Sequence, residues 1–326
     1  MKPNDIPDFI ARALEASGLF GSSAAAPARR DTLPPAPASA ALLLLEPLGA
    51  FVEETFESAA GSRNYKLYVP QRTADRPLPL VLMLHGCKQD PEDFAVATRM
   101  NALAETHGFL VAYPEQTFRS NGANCWNWFE SGQQVREGQE PSILAGIALA
   151  IAGRYAVDTT RIFVAGLSAG ASMAVILGQA YPDVFAGVAA HSGLARGAAH
   201  DMSSAFDAMQ GRTRVDGRSR ASRAETAVRT LVIHGDADST VHVDNGRAVT
   251  RQAVSAFKRA GISLARGPKR TPAVTEFRDA SGRVMVRECI VSGGAHAWLG
   301  GSEKGSFTEP AGIDASAEVV RFFLAS

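Results

Sequence analysis

A chain of 326 residues, 46% of them hydrophobic, is long enough to bury a large core, and a single large α/β domain is the natural expectation. Lysine plus arginine and aspartate plus glutamate number 33 each, so no charge imbalance points to nucleic acid or to an anionic membrane surface. Three cysteines are too few for a disulfide scaffold and lack metal-ligand spacing, and the longest candidate apolar run, Ala40 to Leu45, is far too short to span a bilayer.

The chain opens with Ile6, Phe9, Ile10, Ala13 and Leu14 at helical spacing, Asp5 as an N-cap and Pro7 in the first turn. This predicts an amphipathic helix over 1–16. Its charges are mixed in sign, which favours docking on the protein body or another subunit over a membrane surface. Residues 17–47 are rich in alanine, serine and proline (Pro27, Pro34, Pro35, Pro37) and read as a linker. No basic stretch runs directly into an apolar one, so no ordinary signal peptide is expected, which favours the cytoplasm.

Residues 48–326 are read as one catalytic domain. Phe51–Glu57 and Tyr65–Val69 predict an antiparallel opening pair. Pro79–Leu84 is a continuous apolar run, as expected of a strand buried on both faces. Helix 91–107, strand 109–113, helix 141–155 and strand 161–165 continue the alternation. After a helix rich in small residues from Ala171 come strand 186–190, a helix near 203–210, strand 229–233 and helix 244–260. Strands 274–278 and 284–291 flank the turn Asp279–Gly282, and a helix over 314–324 closes the chain. Strands alternating with helices imply a doubly wound, mostly parallel sheet with antiparallel opening strands, an α/β fold. The arginine- and glycine-rich stretch 211–224 is expected to be an exposed, mobile insertion.

Between strand 161–165 and the helix behind it lies Gly166-Leu167-Ser168-Ala169-Gly170. Strand, G-x-S-x-G, helix is a nucleophile elbow: a sharp turn that raises a serine Oγ above the sheet edge. In a parallel sheet the reacting groups gather at the carboxyl ends of strands. Strand 229–233 leads into His234-Gly235-Asp236-Ala237-Asp238, where Asp238 is the first candidate acid and Asp236 the second. The last strand leads into a glycine-rich loop with His296. Ser168, Asp238, His296 is the chain order of the α/β-hydrolase triad. His85, His191 and His234, at strand ends beside glycine or small residues, read as structural, and His107, His200 and His242 as surface groups. An oxyanion hole would take one backbone N–H from Ala169 and a second from Cys87, in the loop after an early strand.

The segments Leu84-His85-Gly86-Cys87, Asn124-Cys125-Trp126-Asn127-Trp128-Phe129, Gly166–Gly170, His234–Asp238 and Gly294-Ala295-His296-Ala297-Trp298 resemble the catalytic domain of polyhydroxyalkanoate (polyhydroxybutyrate) depolymerases. That family is related to feruloyl and acetylxylan esterases among the α/β-hydrolases. The resemblance spans about residues 50–325, with five segments in matching order. It implies a serine esterase acting on short-chain polyhydroxyalkanoates (poly-3-hydroxybutyrate or its oligomers), a polyester or oligoester substrate, with Ser168, Asp238 and His296 as triad and Cys87 with Ala169 at the oxyanion hole. It also implies secretion, against the missing signal, and a Cys87–Cys125 disulfide with Cys289 left as a small buried hydrophobe. No metal or organic cofactor is called for. Trp126, Trp128 and Trp298 all fall beside the expected site, where their flat faces suit substrate as well as core packing. A carbohydrate esterase of feruloyl or acetylxylan type is the second reading, and a hydrolase-fold binding protein without turnover the third.

Overall fold

The computed structural model describes residues 49–71, 76–212, 227–268 and 274–325. The helix expected over 1–16, the linker over 17–47 and most of the 211–224 insertion lie outside the described residues.

The chain begins with a hairpin, β1 (Ala50–Ser58) and β2 (Gly61–Val69), paired antiparallel from Ala50–Val69 to Ser58–Gly61. Beyond it β3 (Leu78–Leu84), β4 (Leu110–Pro114), β5 (Val157–Leu167), β6 (Gly187–His191), β7 (Arg229–Gly235) and β10 (Val284–Val291) supply the parallel pairings. β9 (Val274–Arg278) and β8 (Ala265–Arg266) close the far edge antiparallel. The ten strands form one sheet in the order β1-β2-β4-β3-β5-β6-β7-β10-β9-β8.

Every residue of β3 is buried, because successive side chains enter two different cores. Leu80, Leu82 and Leu84 point into the core shared with α3 (Gln139–Arg154) and α4 (Ala169–Ala180). Val81 and Met83 point into the other, with α1 (Pro91–Thr98), α2 (Met100–His107) and α7 (Ala315–Leu324). β5 divides in the same way, Ile162 and Val164 against Phe163, Ala165 and Leu167. Burial on both faces is why these strands read as unbroken apolar runs. Two further helices are α5 (Met202–Met209), of 8 residues, and α6 (Asp244–Arg259), of 16.

The helix expected over 91–107 is two helices. Arg99 sits in the left-handed region (φ 52°), and its guanidinium bonds the Gly300 carbonyl, while the Thr98 carbonyl accepts from Ser316 Oγ. Contacts with the C-terminal segment therefore turn the chain where the sequence has neither glycine nor proline. The sequence pattern also passes over β11 (Trp298–Leu299) and β12 (Thr308–Glu309), a two-residue parallel pair just after His296. Among the described residues no helix is long and apolar enough to cross a membrane.

Candidate active site

β5 runs straight into the elbow. Ser168 has φ 57° and ψ −117°, a conformation that costs a non-glycine residue about 1–3 kcal/mol. The flanking glycines allow the turn to close. A Cβ on Gly170 would lie 2.1 Å from the Leu84 carbonyl oxygen, and one on Gly166 would lie 2.5 Å from the Gly170 carbonyl carbon. The Ser168 N–H donates to the His191 carbonyl (2.9 Å), and the Ser168 carbonyl accepts from Ser172 N–H as α4 begins. The hydroxyl is thus held at a helix N-terminus, whose dipole favours negative charge.

His296 Nε2 lies 3.0 Å from Ser168 Oγ, and His296 Nδ1 lies 2.8 Å from Asp238 Oδ2. If Nδ1–H donates to the carboxylate, Nε2 is left to accept the serine proton. Asp238 is fixed by its own loop, since Oδ1 accepts from the N–H groups of Thr240 (3.0 Å) and Val241 (2.8 Å). Burial by itself would raise this carboxyl, but the adjacent His234 and His296 rings outweigh it and hold Asp238 well below the usual carboxylate range. Asp236, the second candidate acid, is exposed and accepts instead from Gly293 N–H (2.6 Å), which ties the acid loop to the histidine loop. Ala295 N–H donates to Glu309, and Trp298 N–H to the Phe307 carbonyl, so β11 and β12 brace the far side of His296.

The loop after β3 is pinned on both sides of Cys87. Gly86 N–H donates to Gln89 Oε1 (2.9 Å), Lys88 N–H to the Ala123 carbonyl, and Gln89 N–H to the Gly86 carbonyl. Among these, the Cys87 N–H is the one without a partner, and both Cys87 and Ala169 border the cleft above Ser168. Cys87 and Cys125 are joined by a disulfide, with Cα atoms 4.3 Å apart. Cys289 is a free, buried thiol that burial pushes up to about 12.

A buried acid that the sequence did not single out organises the same loop. Glu140, in the first turn of α3, accepts from Asn127 N–H (2.8 Å), Asn127 Nδ2 (2.7 Å) and Gln116 Nε2 (2.5 Å). Gln116 in turn donates to the Cys125 carbonyl and, through its backbone N–H, to His85 Nε2. Burial pushes the Glu140 carboxyl up, against the pull of these donors. No local pattern marks Glu140; its partners, Gln116 and Asn127, lie 24 and 13 residues before it.

The cleft measures about 750 Å³ with its open mouth included, and Trp128, Phe129, Leu194, Met202, Phe206 and Met209 are among its lining. Three of these lie on one face of α5 at positions i, i+4 and i+7, while Ser203, Asp207 and Gln210 face solvent. An Asp201–Ser204 capping box starts that helix.

Of the three tryptophans expected to meet substrate, Trp128 borders the cleft. Trp126 and Trp298 do not, and that expectation is corrected. They are 0% and 1% exposed, and their indole N–H groups are engaged inside the protein, by the His85 carbonyl and by Ser316 Oγ. Proximity in sequence to a site residue does not choose which side of a strand end a ring enters. His85, His191 and His234 are buried structural groups: His85 Nδ1 meets the Gly86 carbonyl (2.8 Å), His191 stacks on Trp298, and His234 Nε2 donates to the Val241 carbonyl (2.7 Å). His107, His200 and His242 are exposed.

Over 131 residues the chain is 40% identical to poly(3-hydroxyalkanoate) depolymerase C of Paucimonas lemoignei, a match covering 40% of this chain and 31% of that one. It is 29% identical over 246 residues to a poly(3-hydroxybutyrate) depolymerase of Ralstonia pickettii, covering 68% of this chain and 48% of the other. The chain therefore spans under half the length of these two relatives. An acetyl xylan esterase from Aspergillus awamori shares the fold, with a TM-score of 0.66 at 17% identity over 83% of this chain and 98% of that one. The expected α/β-hydrolase architecture is thereby shown. A family model described as esterase PHB depolymerase matches residues 63–278, a span holding Ser168 and Asp238. The chain belongs to the PHB depolymerase family of esterases.

Proposed function

We propose that this chain is a serine esterase that cleaves the ester bonds of short-chain polyhydroxyalkanoates or their oligomers through an acyl-enzyme. The observation that carries the reading is the relay Ser168–His296–Asp238, at 3.0 and 2.8 Å, beneath a largely apolar cleft.

The chemistry follows from that relay. Ser168 Oγ attacks the ester carbonyl carbon as its proton passes to His296 Nε2. The carbonyl oxygen becomes an oxyanion, for which the unpartnered Cys87 N–H and the Ala169 N–H at the helix start are the donors. Such a donor is worth about 3 kcal/mol of transition-state stabilisation. Asp238, held ionised, keeps Nδ1 protonated and stabilises the imidazolium. His296 then gives its proton to the leaving alkoxide, and water, deprotonated by the same nitrogen, releases the acid. The apolar face of α5 suits the methyl and methylene groups of a polyester. The side chains on that face, Met202, Phe206 and Met209, offer no partner to the hydroxyls of a sugar ester.

Two measurements test the proposal. A fluorophosphonate probe should add one label that is absent from Ser168→Ala; labelling that persists in the variant rejects Ser168 as nucleophile. Release of 3-hydroxybutyrate from amorphous polymer should exceed release of ferulate or acetate from the corresponding sugar esters, and the reverse order would move the assignment to carbohydrate esters.

A further inference from the structure

The cleft wall holds a hydroxyl with nothing to bond. Thr240 borders the cleft together with Ser168 and His296, is 3% exposed, and its Oγ1 has no hydrogen-bond partner. Its backbone N–H donates to Asp238 Oδ1, so the residue is carried on the loop that holds the acid while its side chain is left uncommitted. A buried hydroxyl without a partner is unfavourable, and valine would fill the same space without that penalty. Much of the rest of the cleft lining, Val241, Leu194 and Met209 among it, is apolar and offers no partner. Gln89, also in the lining, has both ends of its amide engaged, by Gly86 N–H on one side and by Asp93 and Ser306 on the other. A 120° rotation about χ1 carries Oγ1 to another staggered position, so the hydroxyl can turn toward whatever fills the cleft.

We propose that Thr240 is a specificity-determining residue whose hydroxyl bonds an oxygen on the third carbon of the substrate's acyl chain. The inference rests on the polyester reading and deepens it. In a hydroxyalkanoate that carbon, two bonds beyond the scissile carbonyl, carries either a free hydroxyl or the next ester oxygen. A plain fatty acyl chain has only hydrogen there. In an apolar cleft a single polar group separates the two, because only the acyl chain that carries the oxygen gives the threonine hydroxyl a partner.

The test compares methyl 3-hydroxybutyrate with methyl butyrate, which share a leaving group and differ only at the third carbon. In Thr240→Val, kcat/KM on the hydroxylated ester should fall about tenfold or more while the value on butyrate changes less than threefold. Thr240→Ser, which restores a hydroxyl, should recover the preference. An equal loss on both esters would overturn the proposal, since Thr240 would then act through the Asp238 loop alone. An unchanged ratio would overturn it as well. The polyester reading fails on a separate measurement, the absence of 3-hydroxybutyrate release from polymer by the unmodified chain.

Discussion

At the scale of single residues, the buried histidines set how the protein responds to acid. Burial lowers His85 to about 4, and burial together with the neighbouring His234 and His296 lowers His191 to about 3. Both values lie below the unfolded value of about 6.5, so below that pH the unfolded chain binds protons that the native protein refuses. The stability these two groups contribute is fully present above pH ~6.5 and is lost as pH falls through the folded values, on the order of 3–5 kcal/mol for each. Asp238, held low in the folded protein, adds a further loss below its unfolded value of about 3.9. The urea midpoint should therefore drop steadily from pH 7 to pH 4, and His191→Gln should show a shallower decline. A midpoint that stays flat over that range would contradict the assignment of these rings as neutral.

At the scale of elements, the segments after β3 and β4 act as one unit. The Cys87–Cys125 bridge closes a separation of 38 residues, which the chain-entropy picture converts to about 4 kcal/mol. Gln116, Asn127 and Glu140 hold the same segment by hydrogen bonds. Removing the bridge therefore weakens the protein more than it disorders the Cys87 N–H. The double substitution Cys87→Ala/Cys125→Ala should lower the melting temperature by roughly 10 °C. Its kcat/KM per folded molecule should stay within about tenfold, because the proposed donor is backbone. A full loss of turnover with an unchanged melting temperature would show that the bridge serves the chemistry and not the fold. Calorimetry beside active-site titration separates these outcomes.

At the scale of the whole molecule, the described body carries its own architecture. Among the described residues, its central parallel strands are covered on both faces by side chains from Tyr65 onward, which form two large buried cores. We propose that residues 1–47 are a separate helix and linker, dispensable for turnover. A chain beginning at Leu48 should retain kcat/KM on a soluble p-nitrophenyl ester within about twofold, a change at the level of 0.4 kcal/mol. If the shortened protein folds and fails to turn over, the N-terminal segment contributes to the site.

Much of this was legible residue by residue, because the signals are local. β3 and β5 announce burial on both faces through unbroken apolar runs, and the elbow is readable because close backbone approach at Gly166 and Gly170 excludes any side chain. The order of Ser168, Asp238 and His296 follows from strands whose carboxyl ends meet at one edge, so the sequence sufficed to nominate them. What it could not supply depends on contacts between distant segments. The break at Arg99 needs Gly300 and Ser316, two hundred residues or more downstream, and Glu140 gains its role only from Gln116 and Asn127 folded over it. Trp126 and Trp298 look like cleft residues in one dimension and are core residues in three. Composition and spacing decide which side chains lie near a strand end, but packing against the rest of the chain decides which of them face the cleft.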